Sequence, residues 1–284
     1  MTLDELLLHP RTEALARRYS TNLPQALIIE GPSGTGVAAI ARALAQSVGS
    51  PQLTILPKKK VKNDWVIDLS DGSIIIDDIR QLYEQTRTRQ PGESVYILDT
   101  GEKSLTVAAQ NAFLKLLEEP HSGIHFIIAT HQPDLLLPTI SSRSQKLSVL
   151  PITDAQTNDL LASLPITDTT MRTRLAFVGR GQPALIKRLA TDSAAYEKRV
   201  AIMSDAKTML GADVFAKLTL AHRYKDNRAD ALTLIDDMNY QLQTIIRTQP
   251  DPRLAKQIEQ HLATRQRVAS GGNIRLQLAA DVIQ

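Results

Sequence analysis

A glycine-rich loop between a buried strand and an alanine-rich helix constrains the fold more than any other feature. Residues 25–30 form an apolar run typical of a buried strand, and residues 37–48 have the spacing of a helix. Between them, residues 31–36 carry three glycines. Glycine lets a backbone turn sharply and approach a ligand closely. Strand, glycine loop and helix in this order predict the opening unit of a phosphate-binding α/β domain.

Strand-like and helical segments alternate along the first 150 residues. Short apolar runs predict four further strands, at residues 65–69, 95–98, 124–129 and 146–149. Helical spacing predicts further helices at residues 2–18, 74–89 and 105–119, with breaks at Pro91 and Pro120. Residues 50–63 are expected to be irregular. The alternation predicts a mostly parallel sheet that is covered by helices on both faces.

After Pro151 the pattern is helical throughout. Helices are predicted at residues 154–163, 169–178, 183–190, 229–248, 252–269 and 274–283, with longer ones from about residue 192. The predicted fold class is therefore α/β followed by all-α. We predict three domains, at residues 1–150, 151–191 and 192–284.

The composition excludes several classes of protein. The 284 residues include no cysteine, which excludes disulfides, catalytic thiolates and zinc sites with sulfur ligands. The net charge of +3 is too small to predict nucleic-acid binding by itself. No segment reaches the roughly 18 apolar residues of a membrane helix. The first residues carry acids rather than the lysines of a secretion signal, so a cytoplasmic location without a membrane partner is expected.

The glycine loop lacks the chemical groups of an ATP site. In the phosphate-binding pattern G-x-x-x-x-G-K-[ST], the lysine contacts the phosphates and the hydroxyl holds magnesium. Here Gly31, Gly34 and Gly36 are present, but Val37 replaces the lysine and Ala38 replaces the hydroxyl residue. We therefore predict a degenerate loop with no intrinsic ATPase activity.

The strand at residues 95–98 ends at an acid that suits the second half of such a site. Asp99 has the position of the acid that orients magnesium. The following residue, usually an acid that activates water, is Thr100, and Glu102 is displaced by two positions. An ATPase with an aberrant but active loop is the alternative, in which Lys103 or Lys115 would take the role of the missing lysine.

Several motifs together resemble those of the bacterial clamp-loader AAA+ family. Residues 111–120 read NAFLKLLEEP, similar to the family's NALLKxLEEP, and residues 138–145 read PTISSRSQ, similar to its TIxSRCQ. Residues 23–26 resemble its LPHA, residues 74–80 its I-x-x-x-x-I-R helix, and residues 273–278 the closing helix of its collar domain. The matches occur in order and span nearly the whole chain. By this combination the chain is identified as a member of that family.

The resemblance implies a fold, a function and a set of partners. The implied fold is an AAA+ base with five parallel strands, a small helical lid and a helical collar that closes a hetero-pentamer. The implied function is that of a non-catalytic subunit beside γ/τ motor subunits and a δ subunit. Such a complex loads a sliding clamp onto primed DNA. The partner subunits would bind the ATP, and no cofactor is expected in this chain. An isolated nucleotide-sensing protein is a further alternative, for which the collar-like tail would have no purpose.

The resemblance also implies roles for individual residues. Arg143, flanked by Ser142 and by Ser144 where the family usually has cysteine, matches an arginine that contacts the γ-phosphate of ATP in the neighbouring motor subunit. A guanidinium suits this role because it is permanently charged and planar. An ordinary surface arginine is the alternative. Thr130 matches a polar sensor position but can equally cap its loop, and Gln182 stands where motor subunits place a lid arginine.

The region after the first helix departs from the family. The family usually carries a four-cysteine zinc module there, whereas residues 47–64 contain no cysteine, so no zinc is expected. Four lysines occur in this region, and they form either a DNA contact or a solvated loop: Lys58, Lys59, Lys60 and Lys62. Three histidines lie close in sequence but lack an acidic partner, so no metal site is expected at His121, His125 and His131.

Overall fold

The computed structural model describes residues 2–49, 52–69, 71–87, 92–119 and 122–283. The chain forms two compact units, Met1–Thr191 and Asp192–Gln284. Residues 151–191, predicted as a separate lid, belong to the first unit. In the described ranges, none of the helices is long and apolar enough to cross a membrane.

A five-stranded parallel sheet lies at the centre of the first unit. Its strands in spatial order are β2 (Gln52–Ile55), β5 (Ser94–Asp99), β6 (Ile124–Thr130), β1 (Ala26–Glu30) and β7 (Gln145–Ser148). Each neighbouring pair is parallel. In the register, Ile28 of β1 lies opposite Ile128 on one side and Lys146 on the other. The predicted class, a five-stranded parallel α/β sheet followed by helices, is confirmed.

One strand of this sheet was predicted in the wrong place. The edge strand β2 lies inside residues 50–63, which were expected to be irregular. The segment predicted as a strand at residues 65–69 lies outside the sheet, because Asp64–Ile67 (β4) pairs antiparallel with Lys58–Val61 (β3). Lys62, in the two-residue turn between them, has φ 56. Such left-handed turns favour a local hairpin, so this apolar run remains at the surface.

Helices cover both faces of the sheet. One face carries α1 (Pro10–Thr21) and α2 (Val37–Ser47), and the other carries α3 (Ile76–Arg87), α4 (Val107–Glu118) and α5 (Pro138–Ser141). Because side chains alternate along a strand, Leu27 and Ile29 enter the core of the first face, whereas Ile28 enters the core of the second. The sheet is therefore buried on both sides.

The first helix is shorter than the prediction over residues 2–18. It begins at Pro10, after a short 3-10 turn at Leu3–Glu5. Proline suits the first helical position because its φ is already helical and its missing N–H needs no partner there. The side chain of His9 accepts a hydrogen bond from the Arg11 backbone N–H at 3.1 Å and caps the helix. The predicted breaks at Pro91 and Pro120 lie outside the described residues.

The remaining elements are helical. The first unit ends with α6 (Asp154–Ser163), α7 (Thr169–Gly179) and α8 (Pro183–Thr191), and the second unit contains α9 (Ser193–Gly211), α10 (Val214–Arg223), α11 (Arg228–Thr248), α12 (Pro252–Ala269) and α13 (Ile274–Ile283). The predicted helices at residues 252–269 and 274–283 are confirmed. A buried ion pair between Arg199 of α9 and Asp237 of α11 joins the two helices inside the second unit.

Candidate functional site

Three glycines shape the loop between β1 and α2. Gly34 has φ +87 and Gly36 has φ +97, a left-handed backbone that other residues rarely adopt. Gly31 is needed for a different reason, since a β-carbon built there would lie 2.7 Å from the backbone oxygen of Val149. Each of these three positions therefore favours glycine, two for their left-handed backbone and one for a close backbone contact.

The first two residues of α2 do not fit the chemistry of Mg-ATP. Val37 is 2% exposed and packs in the core beside Leu27 and Ile40. Ala38 presents a methyl group where a hydroxyl would hold magnesium. The backbone N–H groups at the start of α2 remain as donors for an anion. The start of α2 therefore offers backbone N–H groups but carries no charged or metal-binding side chain at Val37 or Ala38.

Hydrogen bonds within the protein occupy the polar groups of the loop. Ser33 Oγ donates to Glu102 Oε1 at 2.7 Å, and Thr35 Oγ1 donates to the Pro32 carbonyl at 2.7 Å. His131 Nδ1 bonds the carbonyl oxygen of Gly31 at 2.8 Å. The contacts of Glu102 and His131 thus hold the loop from the segments that follow β5 and β6, whereas the Thr35 contact lies within the loop.

The start of α8 lies against the same loop. The Ala184 N–H donates to the carbonyl oxygen of Gly34 at 3.1 Å. A β-carbon on Gly34 would lie 3.0 Å from Leu185 Cβ and 3.4 Å from Gln182 Oε1. Gln182 therefore brings an uncharged amide close to the loop, while its correspondence to the lid arginine of motor subunits stays a prediction.

Asp99 and Thr130 lie at the carboxyl ends of neighbouring strands. Asp99 is 9% exposed, and its Oδ1 accepts a weak hydrogen bond from the Gly101 N–H at 3.3 Å. Thr130 is fully buried, and its Oγ1 accepts the Gln132 N–H at 3.0 Å. This contact is the loop-capping alternative considered for Thr130, while its sensor role stays a prediction. Thr100 follows Asp99 without an acid, as the sequence indicates.

Arg143 lies after the short helix α5, in a cluster of hydrogen bonds. Its Nη2 donates to Glu118 Oε1 at 2.8 Å, and its Nη1 donates to the carbonyl oxygen of Thr139 at 3.2 Å. The flanking hydroxyls, Ser142 and Ser144, donate to backbone carbonyls of α5 at 3.2 and 2.9 Å. The side chain of Arg143 remains 39% exposed.

An open groove runs past the arginine motif. It has a volume of about 270 Å³ and is lined by residues 24–26 and 142–145. Two motifs that are distant in sequence, the one before β1 and the one before β7, therefore meet at this surface. Arg143 presents its side chain at the groove wall, where an anion carried by another molecule can reach it.

Sequence reasoning missed Gln110, which links α4 to the arginine motif. Its side chain is 2% exposed, and its Nε2 donates to the Leu135 carbonyl at 3.0 Å. Its Oε1 accepts the Leu137 N–H at 2.7 Å. A polar residue on the apolar face of a helix, directly before the motif at residues 111–120, was the available signal.

Acidic partners hold two of the four clustered lysines. Lys58 Nζ lies 2.5 Å from Asp78 Oδ1, and Lys59 pairs with Asp71. Asp71 also bonds Lys103 at 2.5 Å, and these two ammonium groups lower the pKa of Asp71 to about 2. Lys103, the candidate substitute in an aberrant active site, is thus paired with a carboxylate outside the glycine loop.

The histidines make backbone contacts. His125 Nδ1 bonds the carbonyl oxygen of Pro24 at 3.1 Å, and His131 bonds the glycine loop as described. His121 lies outside the described residues. In the part of the chain that the structure describes, no group of three histidines or acids could hold a metal ion.

The five-stranded parallel sheet, with a glycine loop after β1 and an arginine motif after β6, agrees with the fold expected of an AAA+ clamp-loader subunit. A family model described as DNA polymerase III, delta subunit, matches residues 11–153, which is half of the chain. Several of the relatives that the chain matches are named DNA polymerase III subunit δ′. The chain belongs to the δ′ family of DNA polymerase III clamp-loader subunits.

Individual relatives are only moderately similar. The chain is 27% identical to the δ′ subunit of Pseudomonas aeruginosa over 208 residues, which cover 67% of this chain and 63% of that protein. It is 29% identical to the δ′ subunit of Haemophilus influenzae over 153 residues, 49% of this chain and 46% of that protein. A γ/τ subunit of Mycobacterium bovis is 33% identical over 135 residues, 42% of this chain and 23% of that subunit. The matches therefore span less than two thirds of each relative.

Among solved structures, a RuvB variant from Thermotoga maritima has a TM-score of 0.51 at 16% identity. The match covers 98% of this chain and 90% of the RuvB chain. At this identity the likeness supports the AAA+ fold alone.

Proposed function

We propose that this chain is a non-catalytic subunit of a DNA polymerase III clamp loader. In this proposal it assembles with γ/τ motor subunits and a δ subunit into a hetero-pentamer. The complex loads a sliding clamp onto primed DNA, and the motor subunits bind the ATP. Membership in the δ′ family and the names of the relatives support the proposal.

The proposal includes no ATP hydrolysis by this chain. Val37 is a buried apolar side chain where a lysine would contact the phosphates, and Ala38 offers no ligand to magnesium. Phosphoryl transfer depends on these charges because its transition state carries dispersed negative charge. The chain therefore has no group to replace them within the loop described above.

The proposal assigns Arg143 a role in a neighbouring subunit. One observation carries it: a guanidinium on the wall of an open groove, 39% exposed and bonded through Nη2 to Glu118. Negative charge on the γ-phosphate of a partner's ATP is the group that such a fork recognises. Arg143 would thus act in trans on ATP that this chain does not bind.

Two measurements on the purified proteins test the proposed subunit. We expect the chain to co-purify with an intact γ/τ motor subunit, a δ subunit and the clamp. We also expect the chain alone to hydrolyse no ATP. Turnover by the chain alone that disappears on Asp99→Asn would contradict the proposal and favour an active ATPase.

A further inference from the structure

Helix α4 holds the arginine motif at both ends. Near its start, Gln110 bonds the backbone of Leu135 and Leu137 at 3.0 and 2.7 Å, which fixes the chain just before α5. At its end, Glu118 bonds Arg143, just after α5. The short helix α5 has four residues, and α4 has twelve. The side chains of α4 thus bond the chain just before α5 and just after it.

Glu118 and the Thr139 carbonyl each accept one hydrogen bond from the guanidinium of Arg143. A guanidinium has five N–H donors. The contacts to Glu118 Oε1 and to the Thr139 carbonyl use one donor of Nη2 and one of Nη1. Among the described residues, these contacts leave three donors for an approaching phosphate.

The ion pair between Arg143 and Glu118 is exposed enough to orient the arginine side chain without preventing it from leaving Glu118. Arg143 and Glu118 keep 39% and 50% of their side chains exposed. Ion pairs with this exposure are weak because water and salt screen them. A terminal phosphate carries more charge and can accept two N–H bonds at once, so it can compete for the guanidinium. The pair limits the rotamers of a long side chain before the phosphate arrives.

We propose that Glu118 is a positioning residue for Arg143, which it holds ready for the phosphate of a neighbouring subunit. The inference rests on the proposed function of Arg143 in trans. Glu118 does not contact the phosphate. It acts by reducing the number of arginine orientations that must be lost when the phosphate binds.

The adjacent acid provides a matched control. Glu119 has the same charge and is exposed, and its backbone N–H closes the end of α4. The experiment measures clamp- and DNA-stimulated ATP turnover by the reconstituted complex. Its variants of this chain are Glu118→Gln, Glu118→Asp, Glu119→Gln, Arg143→Ala, and Arg143→Ala combined with Glu118→Gln. Gel filtration measures the incorporation of each variant.

We expect Glu118→Gln to lower kcat by about two- to fivefold at the site that Arg143 serves, the size of effect that an exposed ion pair has. The KM for ATP and the incorporation should not change. The kcat with Glu118→Asp should lie between those of Glu118→Gln and wild type, because aspartate keeps the charge but has a shorter side chain. Glu119→Gln should turn over normally. The kcat of the double variant should equal that of Arg143→Ala, since Glu118 can have no positioning effect when the arginine is absent.

Three results would overturn the positioning role while leaving the arginine in place. Glu118→Gln could turn over at the wild-type rate although Arg143→Ala is slow. The complex with Glu118→Gln could hydrolyse ATP faster than wild type, which would mean that the ion pair holds Arg143 back from the phosphate. The double variant could be slower than Arg143→Ala by the full Glu118→Gln factor, which would mean an independent effect. Normal turnover by Arg143→Ala would instead remove the proposed function itself.

Discussion

Gly31 lies at the carboxyl end of β1, where the backbone passes close to the residues that follow β7. A β-carbon at this position would meet Val149 O at 2.7 Å and Val149 Cβ at 2.9 Å. Both atoms belong to the packed core rather than to a ligand site. The glycine pattern of a phosphate loop can therefore persist for packing reasons after the chemistry is lost.

At this scale we expect Gly31→Ala to destabilise the first unit by about 1–3 kcal/mol, because the neighbouring backbone must move to admit a methyl group. Gly211→Ala is the control, since nothing lies within 4 Å of a β-carbon there. It should be neutral or stabilise by up to about 1 kcal/mol, the gain of alanine over glycine in a helix. Urea unfolding of the full chain measures both. Equal effects of the two substitutions would contradict this account of Gly31.

The sequence indicated the missing groups of the site but not the contacts that replace them. Val37 and Ala38 could be identified from a short local pattern. The pairing of Arg143 with Glu118 joins residues 25 positions apart, and Ser33 with Glu102 joins residues 69 apart. Such pairs depend on the order of strands and on helix orientation, which no local pattern encodes.

Between the helices of the second unit, a buried ion pair fixes α9 against α11. Arg199 and Asp237 bond through both guanidinium ends, with Nη2 to Oδ1 at 2.7 Å, and their side chains are 8% and 0% exposed. The neighbouring Asp236 pairs with Arg265 at 2.6 Å and is 41% exposed. Of these two adjacent acids of α11, Asp237 thus belongs to a buried ion pair and Asp236 to a partly exposed one.

We expect Asp237→Ala to cost about 3–5 kcal/mol of unfolding free energy, because it leaves a buried arginine charge uncompensated. Asp236→Ala should cost at most about 1 kcal/mol, the range of exposed pairs. Urea unfolding followed by far-UV circular dichroism measures the free energy of unfolding of each variant. If Asp237→Ala cost no more than Asp236→Ala, the pair would not be the contact that joins the helices.

Helices α11, α12 and α13 also share a buried histidine. His261 Nδ1 bonds Asn239 Oδ1 at 3.2 Å, and its Nε2 lies 3.3 Å from Asp281 Oδ2. Burial lowers the pKa of His261, Asp281 opposes this shift, and Lys217 adds to it. Burial has the largest effect, so the pKa of His261 is lower in the folded second unit than in the unfolded chain.

This shift gives the second unit a pH-dependent stability. Below the unfolded pKa of about 6.5, the unfolded chain binds a proton that the folded chain resists. The contribution of His261 to stability is therefore full above that pH and decreases as the pH falls below it. His261→Gln should reduce the difference in urea midpoint between pH 7.5 and 5.5. His222→Gln, which changes an exposed histidine of α10, should not, and equal slopes would contradict the assignment.

Helices were easier to predict than strands at the element scale. The start of α12 could be predicted because Asp251 caps it, accepting the Arg253 N–H at 2.8 Å, and Pro252 begins it. The edge strand β2 was missed because it is short and pairs on one side only. Residues 65–69 were misassigned because an apolar run predicts burial, whereas Trp65 in the hairpin is 49% exposed.

At the scale of the whole molecule, the first unit contains two separate features. One is a glycine loop whose polar groups bond to the protein itself. The other is an arginine at an open groove, supported by α4. In the proposed function, the loop does not hydrolyse ATP, and the arginine contributes a cation to the ATP site of a neighbouring subunit. This is the central claim of the proposed function.

ATP turnover by the reconstituted clamp loader with Arg143→Ala tests this claim most directly. In other phosphoryl-transfer systems an arginine in trans is worth roughly a thousandfold or more. We expect a smaller loss for the whole complex, because in the proposed hetero-pentamer the other motor sites would receive their arginines from other subunits. Arg143→Lys should restore turnover only in part, because a point charge lacks the planar fork.

Arg17→Ala provides the control for that measurement, since Arg17 is also an exposed arginine in an ion pair, at 2.8 Å from Asp4. Gel filtration must find each variant fully incorporated. The account predicts slow turnover with Arg143→Ala and normal turnover with Arg17→Ala. Normal turnover with Arg143→Ala fully incorporated would contradict it.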